Sequence, residues 1–122
     1  ILLAGYFAGG NMAELKKRAA ILLERVGLAN KKDTLPGKLS IGEQQRIAVV
    51  RAVINKPVLL LADEPTASLD AENSRIVLGL LRGLCSENGT ALILSTHDES
   101  VKEQFDEWFD IKGGRFITHE HH

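Results

Sequence analysis

The chain has 122 residues, 44% of them hydrophobic, and carries 15 basic against 16 acidic side chains for a formal net charge of −1. That length suits one domain with a real core, and so balanced a charge offers no strong field for nucleic acid or an anionic membrane. No uncharged apolar run approaches the roughly 20 residues of a membrane helix, and a single cysteine, Cys85, excludes a disulfide framework and fits a reducing cytoplasmic setting.

The sequence opens on Ile1 inside an apolar stretch and closes on His119–His122, HEHH. It reads as a cut piece of a longer protein, with residues 119–122 left from a purification tag. The first helix is well marked. Asn11 can cap it, Glu14 lies three residues on, and Leu15, Ala19, Leu22, Leu23 and Val26 share one face before Gly27 ends it. Residues 29–38, with Pro36 and Gly37, read as a polar loop. A second helix is expected from about Ile41 to Asn55, and Pro57 closes its connection to a strand.

That strand begins the most informative segment, Val58–Asp70, VLLLADEPTASLD. An uncharged run meets two adjacent carboxylates, Asp63 and Glu64, and Pro65 stops it. Such a run reads as a strand covered on both faces, as in a parallel α/β sheet, where ligands bind at the carboxyl ends of strands. Strand ends also carry Asp, Glu and Pro simply because chains turn there. Asp70 can cap a third helix with Ile76, Val77, Leu80, Leu81 and Leu84 on one stripe, ending near Asn88 and Gly89. A second buried strand, Ala91–Ser95, follows. Strand, helix and strand in this order make a right-handed parallel unit, which puts Thr96 and His97 on the same rim as Asp63 and Glu64. Residues 107–112 and 115–118 around Gly113-Gly114 read as an edge hairpin.

Leu39–Arg46, LSIGEQQR, is the second informative segment. Ser40 followed by Glu43 is a capping box, which on its own makes only a good helix start. Gly42 asks for more, because a glycine in the first helical turn costs about 1 kcal/mol relative to alanine and calls for close approach of another group. A helix N-terminus with free amides, a hydroxyl and a bare glycine suits an anion, phosphate above all.

Together these residues resemble the ATP-binding cassette (ABC) ATPases. Leu39-Ser40-Ile41-Gly42-Glu43 is similar to the family's signature, usually LSGGQ, and Gln44-Gln45-Arg46 continues it. Val58–Glu64 resembles Walker B with its catalytic glutamate, Ala67-Ser68-Leu69-Asp70 the D-loop, and His97 in LSTHD the switch histidine. The resemblance covers nearly all of residues 1–118. It implies an α/β fold: the C-terminal part of a P-loop NTPase (RecA-like) parallel sheet with helices, preceded by a helical subdomain and ending in a short antiparallel hairpin. Residues 1–56 would form the helical subdomain and 57–118 the C-terminal half of the ATPase core.

For mechanism, the resemblance implies that Asp63 holds Mg²⁺ and that Glu64 is the general base for the water attacking ATP. His97 would contact the γ-phosphate, and Asp70 would bridge across a dimer, although its capping role alone accounts for it. Ser40 and Gly42 would grip the γ-phosphate of a nucleotide held by a second ATPase subunit in a head-to-tail dimer, with transmembrane permease subunits as further partners and no nucleic acid. The setting implied is peripheral, on the cytoplasmic side of a membrane. LADEPT and LSTHD are most similar to the subunits of lipoprotein-release, macrolide-export and cell-division systems. A soluble cassette ATPase of DNA repair or chromosome maintenance, and a non-catalytic module that only donates its signature, are the rival classes.

Four departures from the family pattern matter. Ile41 replaces a glycine, and Glu43 replaces glutamine, so its carboxylate is expected to fold back into the capping box rather than face a triphosphate. The third is an absence. A P-loop, G-x-x-x-x-G-K-[ST], does not occur in these 122 residues: Gly5 and Gly10 have the spacing, but Asn11 and Met12 follow. The family's Q-loop glutamine is missing as well. The piece is therefore expected to be inactive alone, and an apolar strand edge at Ala91–Ser95 is expected to drive self-association.

Overall fold

The computed structural model describes residues 11–31 and 33–118. Gly5, Gly10 and the HEHH tail lie outside them. Helix α1 spans Met12–Arg25. Asn11 Oδ1 accepts the amides of Ala13 at 2.9 Å and Glu14 at 3.4 Å, and Leu15, Ala19, Leu22 and Leu23 are buried along one side. Residues 29–38 are more regular than a polar loop. They hold two 3₁₀ turns, Ala29–Lys31 and Pro36–Lys38, because the Lys31 and Lys38 amides reach back to Leu28 and Leu35 carbonyls and so satisfy backbone that a loop would leave to solvent.

Helix α2, Ile41–Val53, buries Val49, Val50 and Val53, with Ile54 just beyond. It stops short of Asn55, and the chain turns at Lys56, whose φ is +49°. Strand β1, Leu59–Asp63, then leads to helix α3, Ala71–Asn88, which Asp70 caps and which Gly89 ends at φ +66° in the left-handed region that glycine adopts without strain. Strand β2, Ala91–Ser95, returns parallel to β1 in the register Leu59↔Ala91 to Asp63↔Ser95. The expected strand, helix, strand unit is present. Helix α3 buries Val77, Leu78, Leu81, Leu84 and Cys85, while Ile76 and Leu80 are half-buried. Its inward stripe is rotated from the expected one, because α3 packs against α2 as well as the sheet and so presents a broader face. Cys85 is a core residue, and burial pushes its thiol pKa up.

The sheet departs from expectation in one respect. Leu60 is buried and Ala62 and Leu92 pack on the same core, but Leu59, Leu61 and Ile93 are exposed, as is Val58 just before the strand. Successive strand residues face opposite sides, so the uncharged run has one covered face and one bare face rather than two covered ones. The reason is the number of layers. Helices α2 and α3 supply one, and among the described residues no element covers the other side.

The hairpin is also placed differently. Strands β3, Phe109–Lys112, and β4, Arg115–Thr118, pair antiparallel through Gly113 and Gly114 at φ +56° and +73°, the two positive values a tight hairpin turn needs. They form their own two-stranded sheet and do not extend the parallel pair. Between β2 and β3 the chain passes through a 3₁₀ segment, Glu99–Gln104, whose Lys102 bonds Asp110 at 2.9 Å and lies over the Trp108 ring. The hairpin is thus tethered by a side chain. Among the described residues no helix is long and apolar enough to cross a membrane.

Candidate functional site

The parallel pairing brings the carboxyl ends of β1 and β2 together. Asp63 stands opposite Ser95, whose hydroxyl donates to Asp63 Oδ1 at 2.5 Å. One residue on, the Glu64 amide donates to the Ser95 carbonyl at 3.0 Å and lies 3.3 Å from the Ser95 hydroxyl. Glu64 has φ +47°. For a residue with a side chain this conformation costs about 1–3 kcal/mol, and it persists only where neighbours enforce it. The Ser95 contacts do so from one side, and from the other the Ala67 amide donates to the Glu64 carbonyl at 3.3 Å. The sharp turn aims the Glu64 side chain along the rim, where Oε1 lies 3.2 Å from His97 Nε2. His97 is 98% exposed against 32% for Glu64, so the histidine stands at the solvent lip and the acid lies deeper. Asp63, Glu64 and His97 share one rim, as the topology predicts.

The capping box is also present. Ser40 Oγ accepts the Glu43 amide at 3.1 Å, and Glu43 Oε1 accepts the Ser40 amide at 3.1 Å. These bonds, first that from the Ser40 backbone, hold the Glu43 carboxyl below its ordinary pKa, with Lys31 and Arg46 adding to the effect. The carboxylate is folded back on the helix start.

The close approach that Gly42 calls for is present within the chain. It is buried, and a Cβ there would lie 2.8 Å from Asn73 Oδ1 and 3.1 Å from Asn73 Cγ. The close approach is by a side chain of α3. Asn73 is itself held, since both its amide, at 2.8 Å, and its Nδ2, at 3.0 Å, donate to Asp70 Oδ1. Asn73 therefore joins the start of α2 to Asp70 at the start of α3. The overlap is expected to offset the roughly 1 kcal/mol that alanine otherwise gains over glycine in a helix, so Gly42→Ala should leave stability unchanged or lower it by up to about 1 kcal/mol, whereas the same change made together with Asn73→Ala should stabilise relative to Asn73→Ala alone. Urea denaturation of the two single variants and the double variant measures the coupling; strictly additive effects would reject the contact.

Sequence reasoning missed Asn73, Ser95 and Gln45. Gln45 Nε2 donates to the Pro65 carbonyl at 3.0 Å, directly after Glu64. Ser95 had a signal as the hydroxyl that closes an apolar strand beside one ending in Asp, and Gln45 stood in the run that continues the signature, without a role. Among the described residues no three His, Cys, Asp or Glu side chains converge on a metal site. A single carboxylate beside a hydroxyl is nonetheless the kind of hard oxygen donor set that suits Mg²⁺, which keeps several waters and takes phosphate oxygens for the rest.

A sequence profile described as ABC transporter matches residues 4–67, more than half of the chain. The chain belongs to the ABC transporter family. This ABC chain is 43% identical over 122 residues to a lipoprotein-releasing system ATP-binding protein LolD of Shewanella denitrificans, covering all of this chain and 52% of that protein. LolD 2 of Chlorobaculum tepidum is 42% identical over 115 residues, which cover 94% of this chain and 47% of the relative. Among solved structures, cbiO1 from Clostridium perfringens, described as part of the ABC transporter complex cbiONQ, superposes with a TM-score of 0.81 at 32% identity, over 93% of this chain and 47% of that one. The ADP conformation of MJ1267, an ATP-binding cassette of an ABC transporter, superposes with a TM-score of 0.79 over 95% of this chain and 51% of that one; at 22% identity it speaks for the fold alone. The α/β fold of the ABC chain is thus that of the ATPase cassettes. It spans about half the length of the curated relatives it matches.

Proposed function

We propose that this chain is the C-terminal portion of an ABC transporter ATP-binding subunit that hydrolyses ATP to drive transport across a membrane. The observation that carries the reading is the meeting of Asp63, Glu64 and His97 at one sheet rim, with Glu64 held in a strained turn. Glu64 takes the proton of the attacking water, and its turn sets the direction from which it does so. His97 orients the Glu64 carboxylate through Nε2 and contacts the γ-phosphate at the solvent lip. Asp63, fixed by the Ser95 hydroxyl, would hold Mg²⁺ through water. When bound, that ion neutralises charge on the β- and γ-phosphate oxygens. Ser40 and Gly42, with the amides at the start of α2, face the γ-phosphate of a nucleotide on a second, head-to-tail subunit, and Asp70 lies beside them at that dimer face. The Glu43 carboxylate, engaged by the Ser40 amide, is kept away from that phosphate.

The subunit would sit on the cytoplasmic side of a membrane against transmembrane permease subunits, and the LolD relatives favour lipoprotein release as the process served. Residues 1–56 act as the helical subdomain and 57–118 as part of the ATPase core. The 122 residues alone are inactive because the β- and γ-phosphates have no P-loop to hold them. Their exposed strands pair with a second copy. Sedimentation of the full-length protein with and without ATP tests the reading. ATP is expected to convert monomer to dimer, with turnover in the full-length protein and none in the isolated chain. A protein that stays monomeric with saturating ATP, or an isolated chain that turns over ATP, would overturn it.

A further inference from the structure

The residue that follows Glu64 is held from outside the turn. Pro65 locks its own φ and has no amide to donate, so its carbonyl is the backbone polar group through which the rest of the molecule can hold this residue. That carbonyl accepts Gln45 Nε2 at 3.0 Å in a partly buried setting. Gln45 lies on α2, one turn from Ser40 and Gly42. Its neighbour Arg46 reaches the other way and donates from Nη1 to the Val26 carbonyl at 3.2 Å, at the end of α1. Adjacent side chains of α2 therefore clamp it to the helical layer on one side and to the Glu64 turn on the other.

We infer that Gln45 is a positioning residue for Glu64, coupling the helix whose start faces a nucleotide on the partner subunit to the base of this subunit's own site. The inference rests on the ATPase reading above. Ser95 fixes the amide side of the Glu64 turn, and Gln45 fixes the carbonyl side one residue later. A displacement of α2 toward or away from a partner's phosphate then pulls on the Pro65 carbonyl and rotates the strained turn that aims Glu64. What this requires of position 45 is a hydrogen-bond donor with the reach of glutamine. Volume alone does not suffice.

Three substitutions in the full-length protein separate donor from shape. Gln45→Met keeps the volume without a donor, Gln45→Glu keeps the outline but presents acceptors to an acceptor, and Gln45→Lys keeps a donor of similar reach. Gln45→Met and Gln45→Glu are expected to lower kcat about tenfold with the KM for ATP within about twofold, and Gln45→Lys to keep kcat within about threefold of the parent. Urea denaturation of each variant confirms that folded protein is compared. Glu64→Gln serves as the control. If it abolishes turnover and Gln45→Met leaves kcat unchanged, or if Gln45→Lys fails as badly as Gln45→Met, the coupling is wrong while the ATPase reading stands. If turnover does not depend on Glu64, Glu64 is not the base and the coupling falls with it, whereas a full-length protein without ATP turnover would overturn the ATPase reading itself.

Discussion

Replacing Glu64 by glutamine is expected to lower ATP turnover of the full-length protein by about 10²- to 10⁴-fold, with nucleotide affinity changed by no more than about threefold. The substitution is nearly isosteric and leaves the backbone as it is. The Glu64 amide still donates to Ser95, the turn keeps its positive φ, and Asp63 keeps the Ser95 hydroxyl. What disappears is the proton acceptor. An amide at this position can still hydrogen-bond His97 Nε2, 3.2 Å from the present Oε1, so the rim is not emptied. Loss of rate with retained binding is the mark of a group that acts in the transition state, whereas a group that only holds ground-state nucleotide would raise KM and spare kcat. Phosphate release at saturating ATP, together with equilibrium binding of a fluorescent nucleotide, separates the two. A variant that retained a tenth or more of the parental kcat would remove Glu64 as the base and leave the strained turn without a chemical purpose.

The parts of this site that the sequence disclosed are those set by short-range chemistry. The capping box follows from Ser40 and Glu43 three residues apart, and it forms with both bonds in place. The shared rim follows from chain order, since strand, helix and strand with a right-handed crossover can deliver Asp63, Glu64 and His97 to only one end of a parallel sheet. The helix ends at Asn11, Asp70 and Gly89 are local in the same sense. What stayed hidden depends on how α2 lies across the turn after β1. Gln45 and Pro65 are 20 positions apart and Gly42 and Asn73 are further still, and no periodicity within α2 says which residue will meet which. The Gly42 case shows the consequence. The sequence registered that something must approach closely but not what, and a phosphate and an asparagine side chain leave the same trace.

The bare sheet face has a related cause. An uncharged strand such as Val58–Ala62 reports the environment of a sheet covered on both sides, whereas the described residues furnish only one layer of cover. The hairpin misled in a similar way: Gly113-Gly114 determines that β3 and β4 pair with each other, and nothing local determines whether that pair joins a larger sheet. Its attachment turns on Lys102 meeting Asp110 and Trp108.

The two faces of β1 and its neighbours should respond to mutation in opposite ways. Leu84→Ala is expected to destabilise the chain by about 2–5 kcal/mol, a large share of the about 5–15 kcal/mol by which a small domain is stable. Leu84 is 2% exposed in the cluster that joins α2, α3 and β1, with Val50, Val53, Ile54 and Leu60 among its members. Helix α3 is fixed at one end by Asp70 and at the other by Gly89, so it cannot slide to refill the space and the cavity persists. Leu61→Ser removes as much apolar surface from a side chain that is 71% exposed. Its effect on monomer stability should stay within about 0.5 kcal/mol, because little burial is lost. The change should instead appear as weaker self-association, since Leu61 and its partner Ile93 form the bare apolar face that a second copy would cover. Urea denaturation monitored by circular dichroism reads the first effect, and sedimentation across a concentration series reads the second. If Leu61→Ser unfolds the chain as Leu84→Ala does, that face is buried in the monomer and the single-layer description of the sheet is wrong; if it leaves association untouched, copies meet through another surface, with the exposed Phe109, Ile111 and Phe116 of the hairpin next to be tested.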